Sequence, residues 1–127
     1  MYTSGGNKAR KTIVAVDFDG TIVEHKYPKI GKEVPFAVQT LKMLQNDGFR
    51  LILWTSRYGK ELEEAIKFCH ERGLEFFAVN KNYPEEIFGE NLSRKIVADI
   101  YIDDRNYGGI PSWGEIYHKL KEGSFDY

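Results

Sequence analysis

Hydrophobic and polar positions along this chain fall into blocks with two distinct periods. Residues 12–16, Thr-Ile-Val-Ala-Val, form an almost unbroken β-branched run. Such a run predicts a strand buried on both faces, since a strand with one wet face would alternate. An irregular stretch over 18–32 follows, broken by Gly20, Pro28 and Gly31. A helix is predicted from about 34. Val34, Ala37, Val38, Leu41 and Leu44 share one face at helical spacing, and Pro35 suits a first turn. Asp47-Gly48 stops it, because glycine enters the left-handed conformation without a Cβ clash.

The alternation then repeats. Residues 50–54 read as a second strand and 60–72 as a second helix, with Leu62, Ala65, Ile66 and Cys69 on its face and Gly73 closing it. Residues 75–79 read as a third strand, followed by a loop marked by Asn80, Asn82 and Pro84. The stretch 85–95 has room for one or two helical turns. Residues 98–102 are a fourth strand, and 112–121 a last helix with Ser112 at its N-cap. Strands alternating with helices predict an α/β fold: a doubly wound, Rossmann-like parallel sheet of about four to five strands, in three layers. Ligand sites of such sheets lie beyond the carboxyl ends of the strands, where the strand order switches. Asp17, Thr55, Asn80 and Asp103 begin the four segments that leave those ends.

Length and charge narrow the class. A chain of 127 residues is one domain, here 12–127, preceded by a polar, basic head at 1–11 that is expected to be flexible. Hydrophobic residues make up 42% and charged residues 29%, the balance of a soluble globular protein. A formal net charge of -1 gives no global field toward nucleic acid or an anionic membrane, so neither is an expected partner. No run reaches membrane-spanning length, and the head lacks the apolar stretch of a secretory signal. The single cysteine, Cys69, has no partner for an internal disulfide, which suits a reducing, cytoplasmic setting.

Carboxylates then change the picture. Asp17 and Asp19 follow the first strand, and Asp103 and Asp104 the fourth. Four acids at one sheet end repel one another unless a proton or a cation intervenes. A hard dication bound through oxygen, Mg²⁺ above all, meets that need.

Residues 17–21, Asp-Phe-Asp-Gly-Thr, directly after a buried strand, resemble the first motif of the haloacid dehalogenase (HAD) superfamily. Residues 51–55, Leu-Ile-Leu-Trp-Thr, resemble its second motif, and Lys95 with 98–104 its third and fourth. The resemblance spans 12–104 and implies a HAD-like phosphatase. Asp17 would be the nucleophile, forming an aspartyl-phosphate. Asp19 would act as general acid and then as base, with its backbone carbonyl on the metal. Asp17 and Asp104 would bind Mg²⁺ directly, and Asp103 directly or through water. Thr55 and Lys95 would grip phosphoryl oxygens, helped by Ser56 and by backbone N–H groups at Phe18 and Asp19. Lys81 is the alternative to Lys95. An Asp two places after the nucleophile marks phosphatases and phosphomutases of that superfamily rather than its dehalogenases.

Many members of the superfamily carry a cap domain over the site. The gaps at 18–32 and after 80 are too short for one, since a folded unit needs roughly 40 residues. A capless member is therefore expected, with 18–32 as a flap. Its substrate would be a phosphorylated small molecule or a macromolecular phosphate ester, and a second copy of the chain is a possible lid. Tyr27, Tyr58, Tyr83 and Tyr107 each follow a different strand and form either a docking rim or local packing. Arg57 either meets a substrate anion or pairs with a local carboxylate. Trp54 is expected to pack against a helix, Trp113 to open the last helix and anchor it, Cys69 to sit in the core, and His25, His70 and His118 to be solvated. Lys26, Lys29, Lys60, Arg57 and Arg105 could make a basic groove for nucleic-acid ends, but acids are interleaved with them.

Two rivals remain. A signalling receiver domain has similar parts, but draws its acidic pair from the first strand and its phosphorylated Asp from the third, the reverse of the order here. A silent phosphate-binding or scaffold module would carry the same residue types as the enzyme.

Overall fold

The computed structural model describes residues 12–80, 98–103 and 111–122. Four strands, β1 (Ile13–Val16), β2 (Arg50–Leu53), β3 (Ala78–Val79) and β4 (Ile100–Ile102), form one parallel sheet in the order β3-β2-β1-β4. Three helices, α1 (Ala37–Asn46), α2 (Gly59–Glu71) and α3 (Trp113–Glu122), complete the described elements. This is the expected Rossmann-like α/β arrangement, with β1 at an interior position. The chain steps outward from β1 to β2 to β3, then returns to the other side of β1. The switch in strand order therefore falls between β1 and β4.

Period-two burial explains why the β-branched run of β1 sits there. Val14 and Val16 join Leu51, Leu53 and Ile102 in one core. Ala15 joins Ile52 and Ala78 in a second cluster, with Ile13, Phe77, Ala98 and Tyr101 packed against it. The first core takes Ala37, Val38, Leu41 and Leu44 from α1, Ala65 and Cys69 from α2, and Trp113, Ile116 and Leu120 from α3. All three described helices thus feed one cluster. Residues 81–97, which join β3 to β4, lie outside the described residues, as do the head at 1–11 and the stretch 85–95.

Element boundaries depart from expectation in three places. Helix α1 begins at Ala37, three residues after Val34, because Phe36 takes a left-handed conformation (φ 69°) that a helix cannot contain. Pro35 therefore lies in the preceding turn, closed by the Ala37 N–H on the Val34 carbonyl at 3.1 Å. Strand β3 has two regular residues and β4 three. Phe77 and Asp99, just outside them, still donate to Leu51 and Ile13 carbonyls at 2.7 and 3.0 Å. The expected cap of α3 forms in full: Ser112 Oγ accepts from the Glu115 N–H, and Glu115 Oε1 accepts from the Ser112 N–H, both at 3.2 Å. Left-handed glycines end two helical segments as expected, Gly48 (φ 101°) after α1 and Gly73 (φ 90°) after α2.

Candidate active site at the carboxyl edge of the sheet

The strand ends are held level by three backbone hydrogen bonds one step past the regular ladder. The Asn80 N–H donates to Leu53 at 2.8 Å, Trp54 to Val16 at 2.9 Å, and Asp17 to Ile102 at 3.0 Å. Asp17, Trp54 and Asp103 consequently leave the sheet at one height. With Thr55 and Ser56 they line a cleft of about 410 Å³. Asp17 and Asp103 come from β1 and β4, which flank the switch point.

Local hydrogen bonds fix the parts. The Phe18 N–H donates to Asp17 Oδ1 at 2.8 Å. The Phe18 side chain is wholly buried and meets Phe68 edge to face at 5.8 Å, so it points into the core and not into the cleft. The Phe18 carbonyl accepts from Thr21, Ile22 and Val23, a tight turn that Gly20 completes at φ 83°. The Thr55 N–H is held by Asn80 Oδ1 at 2.8 Å, and Thr55 Oγ1 accepts from the Arg57 N–H at 3.1 Å. Asn80 itself adopts a left-handed conformation (φ 54°), which asparagine tolerates better than most residues. Sequence reading placed Asn80 at this edge, as the start of the loop after the third strand; its role in steadying Thr55 shows in the structure alone.

Asp19 is placed differently from Asp17. Its carboxylate accepts from Arg57 through both oxygens, Oδ2 from Nε at 2.7 Å and Oδ1 from Nη2 at 2.8 Å. It is absent from the described residues that line the cleft. The Arg57 side chain is fully buried. It also donates to the carbonyls of Pro28 (3.3 Å), Lys29 (2.8 Å) and Glu61 (3.3 Å). A guanidinium has five N–H donors, and these five bonds use all of them. Its charged form is favoured by the hydrogen bonds to Asp19 and by that carboxylate's charge, against the opposing effect of burial. Phe18 and Tyr27 each lie with the guanidinium carbon 5.1 Å from the ring centre. Of the two roles open to Arg57 in the sequence, pairing with a local carboxylate is the one observed, and a buried Arg57 contributes nothing to a basic groove.

Several other expectations resolve at the same edge. Trp54, expected against a helix, is exposed and forms part of the cleft wall, because the regular ladder stops at Leu53 and Trp54 leaves with the loop. Trp113 is buried in the core, as expected for an anchor of α3. Tyr27 and Tyr58 are exposed, Tyr27 with one ring face toward Arg57. His25, His70 and His118 are exposed, and Cys69 is buried. Asp104, Lys95, Lys81, Tyr83, Tyr107 and Arg105 lie outside the described residues. Among the described residues, no three His, Cys, Asp or Glu side chains gather as a metal cluster. The described lining of the cleft sets hydroxyl and carbonyl oxygens beside Asp17 and Asp103 and brings no sulfur or imidazole, a donor set suited to a hard cation. No described helix is long and apolar enough to cross a membrane.

Fold and edge together define an α/β parallel-sheet protein with a carboxylate-bearing cleft at its topological switch point. No family model and no curated protein matches the chain. A solved structure of a conserved protein from Bacteroides thetaiotaomicron is 60% identical, with a TM-score of 0.82 over 90% of this chain and 93% of that one. The chain belongs to the family of that conserved protein. A D,D-heptose 1.7-bisphosphate phosphatase from B. bronchiseptica, complexed with magnesium and phosphate, is 14% identical over 54% of this chain and 48% of its own, at a TM-score of 0.41. A likeness that low bears on neither fold nor function.

Proposed function

We propose that this protein is a Mg²⁺-dependent phosphate-monoester hydrolase that attacks phosphorus with Asp17. The observation that carries the reading is the meeting of Asp17, Thr55 and Asp103 on one cleft at the β1–β4 switch point. The resemblance of 17–21, 51–55 and 95–104 to HAD motifs supports it from the sequence side.

Each residue then has a task that its surroundings suit. Asp17, steadied through Oδ1 by the Phe18 N–H, attacks and becomes the aspartyl-phosphate. Thr55 Oγ1 accepts from the Arg57 N–H, which turns the hydroxyl's own hydrogen outward to donate to a phosphoryl oxygen. Ser56 stands beside it on the exposed wall. Asp17, Asp103, the Asp19 carbonyl and Asp104 would hold Mg²⁺, and Lys95 or Lys81 would supply the remaining positive charge. When bound, the ion neutralises charge so that a carboxylate can approach an anionic phosphate. The HAD resemblance assigns the leaving-group and water protons to Asp19, whose carboxylate is held by Arg57 through both oxygens.

Hydrolysis of a generic aryl phosphate, with Mg²⁺ and with chelator, beside Asp17→Asn, tests the reading. Turnover that needs Mg²⁺ and vanishes in the variant is expected. A folded protein that binds Mg²⁺ yet turns over no phosphate ester would instead be a silent phosphate-binding module.

A further inference from the structure

A phosphatase of this design needs a proton for a poor leaving group, and the carboxylate best placed to supply it is engaged elsewhere. Both Asp19 oxygens accept from Arg57, at 2.7 and 2.8 Å, and neither belongs to the described wall of the cleft. The clamp is not a loose surface pair. Arg57 is buried, and its other donors are tied to the carbonyls of Pro28, Lys29 and Glu61. Pro28 and Lys29 belong to the flap, and Glu61 to the first turn of α2. Turning Asp19 toward the cleft would leave a buried guanidinium short of two acceptors, and shifting the guanidinium with it would break three backbone contacts.

Phosphoryl transfer to Asp17 makes one P–O bond and breaks another. The leaving oxygen departs with the electron pair of the broken bond. An alkoxide needs a proton at that moment, whereas an aryloxide or a carboxylate can leave as the anion. Water then cleaves the aspartyl-phosphate, giving inorganic phosphate and the free Asp17 carboxylate, with its surplus proton passed to solvent.

We propose that Arg57 sets the substrate class by holding Asp19 away from the cleft, so that aryl and acyl phosphates are turned over in preference to alkyl monoesters. Arg57 is thus a positioning residue, acting through Asp19. The inference rests on the phosphatase reading above and deepens it. General acid catalysis contributes roughly 10²–10⁴-fold where it operates, which sets the size of the expected preference.

The test is a leaving-group series (acetyl, p-nitrophenyl, phenyl and glycerol phosphates) measured as kcat/KM with Mg²⁺. That parameter reports transfer to Asp17 and omits the later attack of water. The intact protein should discriminate against glycerol phosphate by about 100-fold or more relative to phenyl phosphate. Its dependence on leaving-group basicity should run parallel to that of Asp19→Asn. Arg57→Met, or Arg57→Lys if the former does not fold, should flatten the dependence, and adding Asp19→Asn should steepen it again. A shallow dependence in the intact protein that becomes steep in Asp19→Asn would overturn the proposal, because Asp19 would then be donating despite the clamp. That comparison decides even if no Arg57 variant folds. Absence of all turnover, or turnover that survives Asp17→Asn, would instead sink the phosphatase reading and this inference with it.

Discussion

The backbone N–H of Asp17 donates to the carbonyl of Ile102 at 3.0 Å. This single bond extends the β1–β4 register one residue past Val16 and Ile102, and so sets Asp17 at the level from which Asp103 departs. Two acids separated by most of the chain meet because the strands that deliver them are neighbours in the sheet, not in sequence. The same geometry makes the cleft depend on the sheet order, since only the return of the chain past β1 brings β4 beside it.

If Asp103 helps to hold the cation, neutralising it should weaken metal use before it harms the fold. Asp103→Asn keeps the shape of the side chain and removes one anionic donor. The Mg²⁺ concentration for half-maximal phosphatase activity should rise by roughly tenfold or more, the scale of effects seen for groups around a bound metal. A Mg²⁺ titration of aryl phosphate turnover, with thermal melts as a control for folding, checks this. An unchanged titration would remove Asp103 from the metal site.

Stability should depend strongly on the Asp19–Arg57 pair. Asp19→Ala leaves a fully buried guanidinium without its ionic partner. Breaking one side of a buried pair costs about 3–5 kcal/mol. Urea unfolding should show a loss of that order, and Arg57→Met combined with Asp19→Ala should lose less than the sum of the two single changes. Strict additivity would mean that the two side chains do not depend on each other.

Much of this arrangement was legible in the sequence, and the unread part has a physical cause. The β-branched run at 12–16 could only be an interior strand, and the helical stripe from Ala37 to Leu44 could only face a core; periodicity carries that information. The placing of Asp17 and Asp103 at one edge followed from strand ends alone. The five-donor seat of Arg57 did not, because its acceptors are mostly backbone carbonyls, and a carbonyl leaves no mark on residue type. The start of α1 was missed for a related reason: Phe36 in a left-handed conformation is a tertiary outcome that no local propensity favours. Trp54 was expected against a helix because it closes an apolar strand pattern, yet the strand ends one residue before it and its side chain is exposed.

Cys69 makes a pH prediction whose sign is fixed by its burial. Desolvation pushes its thiol up from the ordinary 9.0 to about 12, an effect that nearby Arg72 partly offsets. Below pH 9 the thiol is protonated in both states and its full contribution to stability is present. Between pH 9 and about 12 the unfolded chain releases the proton while the fold retains it. Stability should therefore fall as pH rises through that window, by on the order of 1 kcal/mol per pH unit from this group. Cys69→Ala removes the group, so the gap between its unfolding free energy and that of the intact protein should shrink above pH 9. A gap of constant size on both sides of that pH would show that the thiol ionises alike in the two states.

Thr21 offers the opposite case, a buried polar group with nothing to bind. Its side chain is fully buried, and its Oγ1 has no hydrogen-bond partner among the described residues. An unsatisfied buried hydroxyl costs roughly 1–3 kcal/mol, because the bonds it made to water in the unfolded chain are not replaced. Valine has nearly the same shape and no hydroxyl to satisfy. Thr21→Val should thus stabilise the fold by about 1 kcal/mol, seen as a higher urea midpoint with an unchanged slope. The surroundings favour that sign: Ile22 and Val23, which follow Thr21, and Phe18, which starts the turn, are all wholly buried in one apolar core. A lower midpoint would mean that the hydroxyl finds an acceptor in solution, and that its hydrogen bond helps to hold the turn carrying Asp17 and Asp19.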